Sequence, residues 1–137
     1  MNAYRHVAVL VRAMAHPVRL QIVEVLSREQ EACVCHLENR LGLRQAYLSQ
    51  HLARMRLGGV VKAHRHGLNV YYSLADESVT DLFHAAAYAA ERLASGRGKS
   101  RGARSPKRVH AGPCPCPKCA AVQEVPSVQS VAAPNGA

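Results

Sequence analysis

Residues 33–59 read "CVCHLENRLGLRQAYLSQHLARMRLGG", and the architecture turns on them. Two helix-like segments lie here, separated by a short "GLR" connection. The first covers about Val34 to Leu41 and stops at Gly42, a residue that ends helices by tolerating a left-handed backbone. The second lies within 44–59. Its apolar residues Leu48, Leu52 and Met55 recur at helical spacing and form an inward stripe. Its other faces carry Arg44, Gln45, Tyr47, Ser49, Gln50 and Arg54, and Gly58-Gly59 closes it. Two helices joined by a tight turn containing Gly, the second polar and basic on its outer faces, form a helix-turn-helix pattern.

Working outward, "YRHVAVLVRAM" (residues 4–14) sets Tyr4, Val7, Val11 and Met14 at helical spacing. "AHPVRLQIVEVLSRE" (residues 15–29) follows, with Pro17 in a favoured first-turn position and Leu20, Val23 and Leu26 on one face. On the other side, "VVKAHRHGLNVYYSL" (residues 60–74) reads as a hairpin turning around Arg65 to Gly67. A last helix spans about Glu77 to Leu93, with an apolar stripe of Val79, Leu82, Phe83, Ala86 and Ala90. From Ala94 onward Gly, Ser, Pro and Arg replace any periodicity. Residues 94–137 are therefore expected to form a basic, Cys/Pro-containing disordered tail, and residues 1–93 the folded domain. The expected fold class is mainly α with a small β-hairpin.

The chain of 137 residues allows one compact domain and a tail. Its apolar content leans on Ala and Val, with one Phe and no Trp. So modest a core gains from homodimerisation. No apolar run approaches the ~20 residues that cross a bilayer. Arg5, Arg12 and Arg19 interrupt the apolar N-terminus, which argues against a signal peptide. A cytoplasmic location with no membrane partner follows as the expectation, and there the five cysteines would stay reduced and act as ligands or sensors. The net charge of +9 points to a polyanion. Within residues 96–110, Arg97, Lys99, Arg101, Arg104, Lys107 and Arg108 meet no acidic residue.

Three separated segments, "MAHPVRLQIVEVL", "CVCHLENRLGLRQAYLSQHLARMRLGGVV" and "HGLNVYYSL", together resemble the ArsR/SmtB family of metal-responsive bacterial repressors, and "CVC" resembles its arsenic-sensing branch. The resemblance covers about residues 5–93. It implies a winged helix-turn-helix homodimer, built on its first and last helices, that leaves double-stranded operator DNA when a metal or metalloid binds. It also implies a recognition helix over about Arg44 to Leu57, with Gln45, Tyr47, Ser49 and Gln50 facing the major groove. The wing would cover about Val60 to Ser73, with Arg65 near its tip. Gln side chains can pair with adenine through two hydrogen bonds, and Arg44 and Arg54 suit phosphates. The chain departs from the family pattern at His16, often Asp, at Leu68, often Arg, and at Glu38, where the arsenic-sensing pattern has a third cysteine.

Soft thiolates suit trivalent arsenic or antimony, and also Cd(II), Pb(II) or Zn(II). Cys33 and Cys35 supply two. Read as lying on the first turn of a helix, they point apart, so an ion that drew them together would unwind that turn and disturb the recognition helix. Trivalent arsenic needs a third sulfur. "GPCPCPKC" offers Cys114, Cys116 and Cys119, held extended by Pro113, Pro115 and Pro117. At roughly 3.3 Å per residue, the chain from Leu93 to Cys114 is long enough to return to the third helix. One shared site and two separate sites both remain open, as does the donor protomer. Of the eight histidines, His51 is expected to be packed and hydrogen-bonded, and His36 to be exposed. Asp81, His84 and Glu91 only partly match the zinc pattern of related sensors.

No nucleophilic triad, phosphate-binding glycine loop or paired carboxylates stand out, so no enzyme is expected. The rival readings are a thiol redox-sensing repressor on the same fold, and a thiol oxidoreductase or metal carrier that does not bind DNA.

Overall fold

The computed structural model describes residues 2–96 and residue 117. The tail cysteines Cys114, Cys116 and Cys119 and most of the basic stretch lie outside the described residues.

Among the described residues, five helices and three strands follow in the order α1 (Ala3–Met14), α2 (Pro17–Glu29), β1 (Glu31–Cys33), α3 (Val34–Leu41), α4 (Gln45–Leu57), β2 (Val61–His66), β3 (Asn69–Leu74) and α5 (Ser78–Ser95). Helix starts follow local chemistry. Asn2 Oδ1 accepts from the Tyr4 amide at 3.2 Å, and His16 Nδ1 accepts from the Val18 amide at 3.1 Å, each satisfying an orphan N–H. Pro17 occupies the first turn of α2, where its missing N–H costs nothing. Gly42 caps α3 in the left-handed region, with φ 65°, and its amide donates to the Glu38 carbonyl at 2.8 Å.

The core gathers the inward stripes of α2, α3 and α4. Ile22, Val23, Leu26, Leu37, Leu48, Leu52, Met55 and Val60 are fully buried together. Such side chains contribute about 1.5–3 kcal/mol each by leaving water. Gly58 lets α1 reach this core closely, because a Cβ there would stand 2.2 Å from Ala13 Cβ.

The hairpin expected at residues 60–74 is present, but its turn is Gly67-Leu68, beyond Arg65. The pair His66↔Asn69 closes the ladder, and Gly67 has φ 62°, so glycine takes the first place of a two-residue turn. Sequence periodicity also missed β1. It makes the sheet three-stranded in the order β1-β3-β2, with Glu31↔Ser73, Ala32↔Tyr72 and Cys33↔Tyr71 in antiparallel register. A strand of three residues has no period to detect. Its partner strand defines it.

α5 and the outer side of α1 pack little. Only Val79 of α5 is buried, and only Ala13 and Met14 of α1. Tyr4, Val7, Val11, Tyr88 and Leu93 are exposed. No helix among the described residues is long and apolar enough to cross a membrane.

Candidate nucleic-acid interface and thiol site

α4 presents two faces of opposite character. Leu48, His51, Leu52 and Met55 are buried, while Arg44, Gln45, Tyr47, Gln50 and Arg54 are exposed and Ser49 is half-exposed. Every residue expected to touch DNA is therefore accessible on this helix. The sequence reading passed over Ala46 and Ala53, which are exposed and lie with Ser49 along the middle of the outer face. Small side chains there, flanked by Gln45 and Gln50, permit a close approach of the helix to a groove. Their i, i+3, i+7 spacing was the available signal.

Arg44 is the N-cap residue of α4 and makes no side-chain capping bond. The first-turn amides of α4 thus point outward with the positive end of the helix dipole, a setting that favours phosphate oxygens. In the wing, Arg65 is exposed on β2 next to the turn, and Leu68 at the tip is fully exposed.

His51 is buried beneath this face, as expected. Its ring meets His16 at 4.3 Å and lies edge-on to Tyr47 at 4.6 Å between centroids. Its hydrogen bonding departs from expectation, since Nδ1 has no partner. Burial, reinforced by the charges of His16, Arg19 and Arg54, lowers its pKa below 6.5, so the ring is neutral at pH 7.

The thiol pair corrects the reading that both residues sit on the helix. Cys33 ends β1 and is the N-cap of α3, with extended backbone at φ −82° and ψ 167°, and only Cys35 is helical. The cap position turns the Cys33 side chain back over the first turn. Its Sγ lies 2.9 Å from Cys35 Sγ and 3.4 Å from the His36 amide, which donates to it. The two sulfurs meet while α3 keeps its regular form, so the unwinding expected from sequence is not required. Cys33 is buried against Tyr71 of β3, and Cys35 packs beside them. Cys35 is also disulfide-bonded.

His36 is likewise not the surface residue expected. It is half-buried, and its Nε2 meets Glu29 Oε2 at the end of α2, while Arg40 donates to Glu29 Oε1 at 2.7 Å. One carboxylate thus ties both ends of α3 to α2. On the sheet side, His64 of β2 stacks on Tyr71 at 5.8 Å and pairs with Glu31 at 3.2 Å. The thiol corner accordingly touches α2, α3 and both wing strands. Among the described residues, no group of three or more His, Cys, Asp or Glu is placed to hold a metal ion. Neither the outer face of α4 nor the α5 residues Asp81, His84 and Glu91 form such a group with the two cysteines.

Comparison with known proteins fits this geometry. The family model for the bacterial regulatory protein, arsR family, matches residues 16–63, which run from the α2 cap into the wing. The transcriptional repressor PagR of Bacillus anthracis is 43% identical over 75 residues, covering 55% of this chain and 75% of PagR. The arsenic resistance transcriptional regulator ArsR1 of Pseudomonas putida is 36% identical over 69 residues, 50% of this chain and 54% of that protein. Among solved structures, Rv0081 of Mycobacterium tuberculosis superposes with a TM-score of 0.62 at 33% identity, over 72% of this chain and 99% of that one. With its helix-turn-helix, its wing and these relatives in agreement, the chain belongs to the arsR family of winged helix-turn-helix transcriptional regulators.

Proposed function

We propose that the protein is a cytoplasmic homodimeric repressor that holds operator DNA through α4 and the wing, and releases it when trivalent arsenic or antimony binds Cys33 and Cys35. The observation that carries this reading is the 2.9 Å approach of the two sulfurs at the cap of α3. Once Cys35 is reduced, two sulfurs this close need little further movement to bind a thiophilic ion, and Cd(II), Pb(II) or Zn(II) fall in the same chemical class. The third thiolate comes from Cys114, Cys116 or Cys119 of the 94–137 tail. The ligating form is the reduced one, because a metalloid needs thiolates.

In the DNA-bound state Gln45, Tyr47, Ser49 and Gln50 read base edges, while Arg44, Arg54 and Arg65 hold phosphates. The exposed apolar faces of α1 and α5 pair with those of a second copy, which sets two α4 helices on a near-palindromic site. Ligand capture shifts the corner shared by α3, β1 and β3. The helix-turn-helix and the wing then move together, with α3 still helical. By linkage, whatever weakens DNA binding when metalloid is present weakens metalloid binding equally when DNA is present.

The test is a fluorescence-anisotropy titration of arsenite into the complex with DNA from upstream of the gene. The reduced full-length protein is compared with a C114S/C116S/C119S variant. Release by the intact protein alone assigns the third ligand to the tail. Equal release by both removes the tail from the site.

The disulfide at Cys35 supports a second reading, a redox-sensing repressor. Two thiols would lose two protons and two electrons to an oxidant such as peroxide, which is reduced to water. Loss of operator binding with peroxide but not with arsenite would select that reading.

A further inference from the structure

A cleft of about 440 Å³ opens beside α4, lined by Val9, Arg12, Ala13, Arg19, Arg54, Leu57 and Gly58. One arginine from each of α1, α2 and α4 lines it beside the apolar Val9, Ala13 and Leu57, and no acidic side chain does. Among the described residues, none of the three arginines takes part in an ion pair. Arg19 is held in place. Its guanidinium donates to the carbonyls of Arg12 at 3.3 Å and Ala13 at 3.0 Å, and its buried Nε has no partner. Those carbonyls belong to the last turn of α1, whose dipole favours a cation there. Arg12 and Arg54 are exposed on either side. Like charges gathered without counter-charge repel one another, and a bound anion relieves the repulsion.

The position of the cleft says which anion. Arg54 follows Gln50 by one helical turn on the exposed side of α4, so the cleft continues the DNA-reading face past its C-terminal end. Arg12 lies on α1 away from the Tyr4, Val7 and Val11 stripe, and stays clear of that apolar face.

We infer that this cleft is a second phosphate-binding site for the operator backbone, in which Arg12 and Arg54 each take one of two neighbouring phosphates and Arg19 is the positioning residue between them. The inference rests on the DNA-binding reading above and adds Arg12 and Arg19 to it. It makes the contact sequence-independent, because phosphates carry no base information. It also extends the footprint of each protomer beyond the bases that α4 reads.

The experiment measures affinity against salt concentration for the reduced full-length protein, on its operator and on a random duplex of equal length. Each phosphate contact contributes about 0.9 to the slope of log K against log[salt]. R12Q is expected to lower that slope by roughly 0.9 and R12Q/R54Q by roughly 1.8, with affinity falling by the same factor on both duplexes. R19Q is read only if its melting temperature matches the parent, since its contacts to α1 are structural. R12Q alters an exposed side chain of α1 and keeps the question answerable. An unchanged slope in R12Q overturns the site. So does a loss of affinity that sedimentation traces to a weakened dimer. If the unmodified protein prefers its operator no more than random DNA, the underlying DNA-binding reading has failed instead.

Discussion

The thiol corner and the outer face of α4 are built in opposite ways. The thiol corner is packed and cross-tied. Cys33 is buried against Tyr71, Glu29 ties both ends of α3 to α2, and His64 links the wing to β1. The outer face of α4 is open, small in its middle and free of ion pairs among the described residues. A reading surface needs access to its partner. A sensing corner needs contact with everything it must move. The short α3 joins them, ending at Gly42 three residues before α4 begins.

Neighbouring substitutions on α4 break this contrast most sharply. Leu52→Ala on the inner face removes a fully buried side chain and should cost about 2–5 kcal/mol in denaturant unfolding. Ala53→Ser, one residue along and exposed, should stay within about 0.5 kcal/mol. A larger Ala53→Glu change should weaken operator binding severely with the same small effect on stability.

Next in size is the approach of α1. Gly58→Ala would place a methyl 2.2 Å from Ala13 Cβ, and overpacking of this kind costs about 1–3 kcal/mol, read as a lower unfolding midpoint. Leu68→Ala at the exposed wing tip makes the matching control and should leave stability unchanged.

The ties at Glu29 come third. Glu29→Gln keeps the shape and removes the charge that His36 and Arg40 share. Because these groups are partly exposed, solvent screening holds the loss to about 0.5–1 kcal/mol. Metalloid affinity should survive, since neither sulfur is touched.

The smallest effect concerns pH. His51 is buried with its folded pKa below 6.5, so the folded protein disfavours its protonated form. The unfolded chain takes up the proton first. Stability from this group is complete above about pH 6.5 and falls as the pH drops through that value toward the folded pKa. Thermal melts at pH 7.5 and 5.5 should show the decline, and His51→Gln should flatten it.

The helix-turn-helix was legible because α3 stops at Gly42 and α4 carries an apolar stripe closed by Gly58. Leu48, Leu52 and Met55 could hardly face anywhere but inward. The exposed residues of α4 followed by subtraction, being what the stripe leaves out. The thiol corner was only half legible. "CVC" announced soft-ligand chemistry, but its geometry depends on Cys33 ending a strand that exists only because β3 lies beside it. The bond from His36 to Glu29 spans seven residues between two helices, and no local pattern encodes how those helices meet. The arginine cleft has the same origin, since Arg12, Arg19 and Arg54 come from three separate helices.

The central claim is that Cys33 and Cys35 form the switch and lie apart from the DNA-reading face. Arsenite titrated into the operator complex of the reduced C33S/C35S variant, followed by fluorescence anisotropy, tests it most directly. The account expects this variant to bind operator within about twofold of the unmodified protein, a difference under ~0.5 kcal/mol, and to hold it at every arsenite concentration that releases the parent. Release of the variant at the same concentrations would contradict the claim.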